Sequence, residues 1–198
     1  MIKLASLAFL ALLLPGLAAA AETAPSRISG TIVALEGNML TVRGADGTET
    51  SIRLPEKVSV TALAERRLDD IKAGDYVGSA AVAGPDGKLH AQEVHIFTET
   101  MRGVGEGHRP MSGPNQTMTN ATVTTVISDP VGHTLKLRYK DGEQDIEVGP
   151  DARIVAIIPG DRSLLKTGAA VSVFVGRSPD GTLTARAVQA EKDGVKPL

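Results

Sequence analysis

Short runs of alternating apolar and polar residues follow one another along most of the chain. In the first half, Leu40 and Val42 recur at a spacing of two, as in a half-buried β-strand. The pattern predicts five strands there, over residues 27–35, 39–43, 48–54, 74–83 and 88–97. Between the third and fourth strands, Leu63, Arg67 and Ile71 recur at a spacing of four, which predicts a short helical turn over 63–72.

The second half of the chain repeats this order. Asp141-Gly142 lies 95 positions beyond the turn residues Asp46-Gly47. Further on, the offset becomes 94 and stays constant, so that Leu89, Ala91 and Val94 match Leu183, Ala185 and Val188. A constant offset over more than twenty residues indicates an internal duplication. We therefore predict two tandem domains, residues 26–98 and 120–192, joined by a glycine-rich segment, residues 99–119.

The predicted elements favour an all-β fold. Short strands with turn signals every 8–12 residues are typical of small sandwiches and barrels. Five strands per repeat predict two tandem five-stranded β-barrels of the OB-like type, a partly open barrel. We expect the glycine-rich segment to be an ordered linker packed on both barrels.

The first residues have the organisation of a secretory signal. Lys3 precedes the apolar run Leu4–Leu14, and small residues follow at Ala18–Ala21. We predict a signal peptide over residues 1–21, cleaved after Ala20 or Ala21, and hence a periplasmic protein. A transmembrane helix needs about 20 apolar residues, so we expect no integral membrane segment in the mature chain.

Composition narrows the classes of partner. The chain has no cysteine, which excludes a disulfide framework. Its formal net charge is −2, and it has only two tyrosines, three phenylalanines and no tryptophan. Nucleic-acid binding favours a clustered basic face and exposed aromatic rings. We therefore expect no nucleic-acid partner.

The glycine-rich segment, which we call the joint, carries the candidate binding residues. A plain flexible tether favours Gly and Ser, whereas the joint also contains Arg102, Glu106, His108 and Arg109. Paired arginines bind carboxylates or phosphates, and His and Glu bind metals or move protons. Three interpretations remain open: salt bridges that fix the joint, a site for a small anion or other ligand, or catalysis.

Metal binding and hydrolysis are the alternatives to simple ligand binding. His95 and His108, with Glu99 or Glu93, are weak candidate metal ligands, because no histidine pair has the spacing of a metalloenzyme. We predict no cofactor, while a divalent metal remains an alternative. The chain has no cysteine and no Gly-x-Ser-x-Gly motif, so it offers no recognisable nucleophile.

Several stretches resemble a known family. The segments at Gly30–Val42, Asp70–Val77 and Pro85–Val94 are similar to the bacterial exported DUF5666 domains. The joint and the segment around Pro159–Lys166 resemble a two-domain group of secreted proteins, some of which are labelled metal ABC transporter permeases. The resemblance covers nearly all of the mature chain. It implies export and the two-domain fold, and it implies no activity.

These observations predict a soluble periplasmic binding or scaffold module without enzymatic activity. Its functional surface is expected at the joint, in a cleft between the two barrels, with a small anion or a protein as partner. The alternatives are a metal-binding accessory protein that uses His108 and nearby acids, and a hydrolase with its site in the same cleft.

Overall fold

The described part of the chain is all-β, with β-strands as its main regular structure. The computed structural model describes residues 26–111, 113–130, 132–178 and 180–197, and the predicted signal peptide over 1–21 lies outside these ranges. The strands are β1 (Ser26–Glu36), β2 (Met39–Arg43), β3 (Glu49–Arg53), β4 (Ser59–Glu65), β5 (Tyr76–Ala83), β6 (Leu89–Ile96), β7 (Gly107–Pro110), β8 (Gln116–Asp129), β9 (Gly132–Tyr139), β10 (Gly142–Val148), β11 (Arg153–Pro159), β12 (Ala170–Arg177) and β13 (Leu183–Ala190). Three single 3-10 turns, Leu68–Asp70, Glu99–Met101 and Arg162–Leu164, complete the regular structure. The predicted all-β class is confirmed.

No helix in the described part of the chain is long and apolar enough to cross a membrane.

Five strands close a barrel in the middle of the chain. β5 pairs with β6 and β8, and β8, β9 and β10 follow as an antiparallel meander. The ring closes where β10 runs parallel to β6, through the pairs Ile146–Leu89 and Glu147–His90. Fully buried aliphatic side chains fill this closed barrel, among them Val77, Val94, Val123, Leu135, Leu137, Ile146 and Val148.

Five of the remaining strands form a second ring in the same order. β1 pairs with β2 and with β12, β2 pairs with β3, and β12 pairs with β13. β3 and β13 meet at one parallel pair, Arg53–Thr184. Buried aliphatic residues from both ends of the chain form one core inside this second ring, including Ile32, Leu40, Val42, Ile52, Val171, Val173 and Val188.

The strand pairing does not follow the repeat boundary. The closed barrel takes β5 and β6 from the first repeat and β8, β9 and β10 from the second. The second ring takes β1–β3 from the first repeat and β12–β13 from the second. The expectation of one barrel within 26–98 and another within 120–192 therefore differs from the observed pairing. Each repeat gives its last two barrel strands to the ring begun by the other.

A two-stranded ribbon, β4 with β11, causes this exchange. Neither strand was predicted, because the spacing of Leu63, Arg67 and Ile71 indicated a helical turn, which the structure restricts to Leu68–Asp70. Leu63 pairs with Ile157, and these positions differ by 94, the offset between the repeats. A pseudo-two-fold axis therefore passes through this pair. β4 and β11 each carry the chain across that axis from one ring to the other.

The ribbon has its own apolar cluster. Leu63 and Val155 are buried, at 2% and 0% exposed, and Ile157 is 7% exposed. Phe97, Met101 and Val195 pack against them. Burying a leucine or isoleucine side chain contributes about 1.5–3 kcal/mol. This cluster therefore stabilises the point at which the two repeats cross.

We predict that Leu63→Ala lowers the free energy of unfolding by about 2–5 kcal/mol, because it leaves a cavity at the centre of the ribbon. Urea denaturation measures the change. Val104→Ala is the matched control, since Val104 is 51% exposed and a surface truncation changes stability by about 0.5 kcal/mol or less. A loss below about 1 kcal/mol for Leu63→Ala would contradict the role given to the ribbon.

Candidate functional site

The joint connects two strands of the closed barrel and does not link one barrel to another. It runs from β6 to β8, and both strands belong to the closed barrel. Its own strand β7 pairs with β8, with His108 opposite Thr119. Most of the joint is therefore a long connection folded back onto one barrel, which differs from the expected linker lining a cleft between two barrels. Its start reaches the ribbon, where Met101 packs against Leu63, Val155 and Ile157.

Hydrogen bonds from two barrel side chains hold the middle of the joint. The Tyr76 hydroxyl donates to the carbonyl oxygen of Val104 at 3.2 Å, and the Asn120 Nδ2 donates to the same oxygen at 3.1 Å. The neighbouring Gly103 and Gly105 have positive φ angles of 85° and 60°, a conformation that glycine adopts without strain. These contacts hold the middle of the joint against the closed barrel.

Arg102 anchors the start of the joint. Its Nε and Nη2 donate to the two carboxylate oxygens of Glu99 at 2.6 and 2.7 Å, and Nη2 also donates to the carbonyl of Gly74 at 2.9 Å. The guanidinium lies 5.9 Å from the centre of the Tyr76 ring. The hydrogen bonds from Arg102 hold the pKa of Glu99 below its usual value. These contacts of Arg102 fit the first of the three interpretations, in which salt bridges fix the joint.

The other three candidates have separate partners. Glu106 Oε1 accepts from the backbone N–H of Lys140 at 3.0 Å. His108 Nδ1 lies 2.8 Å from the Thr119 hydroxyl. Arg109 Nη1 donates to the carbonyl of Gly105 at 2.8 Å. The structure brings no two of these side chains onto a shared partner.

The candidate metal ligands have separate contacts, apart from the neighbours His95 and Glu93. His95 Nδ1 lies 3.8 Å from Glu93 Oε1, and its ring packs edge-on against Phe97. Glu99 is paired with Arg102 and His108 with Thr119. Within the described ranges no group of three or more His, Asp or Glu side chains lies close enough together to hold a metal ion.

A buried ion pair was missed from the sequence. Glu93 Oε2 accepts from Arg153 Nη1 at 2.8 Å, with the Glu93 side chain only 7% exposed. Arg153 Nη2 donates to the carbonyl of Lys196 at 2.8 Å, which ties down the C-terminal segment. Burial lowers the pKa of Arg27, and the nearby Glu93 charge opposes that shift.

Comparison with known proteins gives no relative. No protein-family model, no curated protein and no solved structure matches this chain. We therefore compare the two rings of this chain with each other.

Three buried polar positions of the closed barrel are apolar in the second ring. In the closed barrel, Ser79 faces Thr119, whereas the second ring has Val173 facing Ile28 at these positions, and Glu93 corresponds to Ala187. We call these residues, with their neighbours, the polar set: Ser79, Glu93, His95, Thr119 and Asn120. The equivalents of His95 and Asn120 in the second ring are also polar, Gln189 and Ser29, and Ser172 is buried there.

The polar set is partly unsatisfied. Ser79 Oγ and Asn120 Oδ1 are buried and have no hydrogen-bond partner among the described residues. An unpaired buried polar atom costs about 1–3 kcal/mol. The alignment of the two repeats could have pointed to this set, because it matches Glu93 of the first repeat with Ala187 of the second. The burial of these positions could not be read from the sequence.

We predict that Arg153→Ser destabilises the protein by about 1–3 kcal/mol, because the buried Glu93 carboxylate loses its hydrogen-bonded cation while His95 and Arg27 remain nearby. The double variant Glu93→Ala with Arg153→Ser should recover most of that loss. It installs the residues of the second ring, where Ala187 pairs with Ser59. Urea denaturation near neutral pH measures both variants, and a double variant at least as unstable as the single one would contradict this account.

Proposed function

We propose that this protein is a periplasmic binding or scaffold module without enzymatic activity, built from two OB-like barrels of the DUF5666 type. The strand order supports the OB-like assignment. Around the closed barrel the neighbouring strands are β8-β9-β10-β6-β5, which corresponds to a five-stranded barrel ordered 1-2-3-5-4 with the third and fifth strands parallel, although here β5 and β6 precede β8 in the chain. OB-folds are partly open five-stranded barrels that bind ligands on their surface.

The observation that carries the proposal is the polar set beneath the joint. The two rings share one strand order, and the second ring builds its core with Val173 and Ile28 where the closed barrel has Ser79 and Thr119. The fold therefore does not require polar residues at these positions. Local conflicts with stability are expected at functional sites. We infer that the side of the closed barrel covered by the joint is the specialised surface.

The exposed side chains of the joint define this surface, which we call the joint surface: Val104, Glu106, His108 and Arg109. Val104 is 51% exposed. Arg109 contacts the Gly105 carbonyl through one nitrogen, and no carboxylate in the described part of the chain pairs with it. A guanidinium without an acidic partner, next to an exposed apolar side chain, suits an anionic group on a small molecule or on a partner protein.

A non-enzymatic role fits the partners of Glu106 and His108. An acid–base pair must reach one reacting group at hydrogen-bond distance. Here Glu106 accepts from the Lys140 backbone and His108 contacts Thr119, so each side chain is engaged by a different barrel strand or turn. Both contacts place the joint on the barrel.

Native mass spectrometry of protein purified from the periplasm tests this proposal. We expect the wild-type chain to carry a bound anion or partner protein that Arg109→Ala loses. Arg177→Ala is the matched control, because Arg177 Nη1 donates to the Gly181 carbonyl at 2.9 Å in the second ring, just as Arg109 does to Gly105.

The control should keep the bound species. A species retained equally by Arg109→Ala, or lost equally from both variants, would contradict a binding role for the joint surface.

A further inference from the structure

The closed barrel has an open strand edge. β10 pairs with β9 along its whole length, but with β6 only at Ile146 and Glu147. In the described part of the chain, no strand pairs with the other side of Gly142–Asp145. Alternate backbone N–H and C=O groups of an edge strand point away from its one neighbour. This edge therefore offers hydrogen-bonding groups to another extended chain.

A depression of about 410 Å³ lies beside this edge. Gln144, Asp145 and Glu147 line one side of it, and the turn Gly87–Leu89 lines the other. The depression thus occupies the place where β10 and β6 separate. We call the free edge and this depression together the edge groove.

The edge groove has an apolar border. Ile127 lines it and is 44% exposed. Ile127 lies in one row with Thr134 and Glu147 across β8, β9 and β10. The groove therefore combines unpaired backbone with an exposed apolar side chain, the two features that a bound strand uses for affinity and for side-chain selection.

The charged residues around the groove are held in ion pairs, and the pair of Lys88 with Glu147 crosses the depression at the end where β10 and β6 are joined. Asp145 pairs with Lys136 at 3.0 Å and Glu147 with Lys88 at 2.8 Å, and Glu147 also accepts from the Thr134 hydroxyl. Charged side chains on an edge strand usually discourage pairing. Here Asp145 is bound across to β9 by Lys136, which leaves the backbone edge of β10 accessible.

The second ring repeats the arrangement. β3 meets β13 only at Arg53, so Glu49–Ile52 has a free side as well. The row equivalent to Ile127, Thr134 and Glu147 is Glu36, Met39 and Arg53, in which Met39 is 39% exposed. An exposed large apolar residue therefore stands in the equivalent row of each ring, in β8 of the closed barrel and in β2 of the second ring.

We propose that the edge groove binds an extended peptide segment of a partner protein, which adds as a strand beside Gly142–Asp145. The unpaired backbone fixes the extended conformation of the ligand. An apolar side chain of the peptide packs on Ile127 and Leu89. No aromatic ring among the described residues lines the depression, so a stacked base or sugar ring is a poorer fit there. The proposal concerns a surface other than the joint surface and does not depend on it.

The experiment uses the mature chain and a phage-displayed library of random heptapeptides, followed by a synthetic peptide made from an enriched clone. We expect Ile127→Glu to weaken binding of that peptide at least tenfold. The substitution places the residue of the equivalent position, Glu36, in the closed barrel, so the variant should keep the urea midpoint of the wild type. Val104→Glu, which alters an exposed apolar residue of the joint surface, should bind within twofold of the wild type.

Nuclear magnetic resonance locates the peptide. The backbone amides of residues 143–145 should shift on titration and exchange more slowly with solvent. The proposal is overturned if no peptide is enriched, if Ile127→Glu binds as tightly as the wild type, or if the shifts lie outside residues 87–89, 127 and 142–147. Loss of binding in Val104→Glu but not in Ile127→Glu would show that the peptide does not bind at the edge groove and would support the joint surface as its binding site.

Discussion

The pairing of β4 with β11 determines how the rest of the chain is arranged. Leu63 and Ile157 occupy equivalent positions of the two repeats and face each other as antiparallel neighbours. Once this pair forms, the chain that enters β4 or β11 from one ring continues into the other ring. Each repeat must then complete its barrel with strands of the other repeat. The exchange is a direct consequence of this antiparallel register. Phe97, Met101 and Val195 pack against the paired strands and stabilise them.

This arrangement changes the meaning of the joint. A linker between tandem domains would separate two cores, whereas the connection from β6 to β8 begins and ends on the same barrel and is held there by Tyr76 and Asn120. The duplication also provides an internal control for function. Both rings satisfy the same fold, and only one carries Glu93, Thr119 and an unpaired Asn120 oxygen at equivalent sites. That difference distinguishes residues that the fold of a ring requires from residues that the fold does not require.

Much of the strand pattern could be predicted from the sequence. Period-two alternation predicted strands close to β1–β3, β5 and β6, and the 94-position offset predicted a duplicated unit. β4 was missed because Leu63, Arg67 and Ile71 share a helical spacing, although Leu63 lies in a strand and Ile71 beyond the 3-10 turn. The exchange of strands was not predictable, because tandem and exchanged barrels place the same residues in the same registers. The sequence also predicted charged residues in the joint but not their partners, since Gly74, Thr119 and Lys140 become neighbours only through the fold.

A disulfide between the repeats tests the strand exchange most directly. Ser29 in β1 and Ser172 in β12 are paired across the strands, and their hydroxyl oxygens are 2.6 Å apart. Paired positions of antiparallel strands have the Cα separation that a disulfide accepts, and the chain has no cysteine to interfere. The account predicts that Ser29→Cys with Ser172→Cys forms an intramolecular disulfide in the monomer under mild oxidation, located by peptide mapping. Two thiols that remain fully open to alkylation in the folded monomer would contradict the exchange and favour separate tandem barrels.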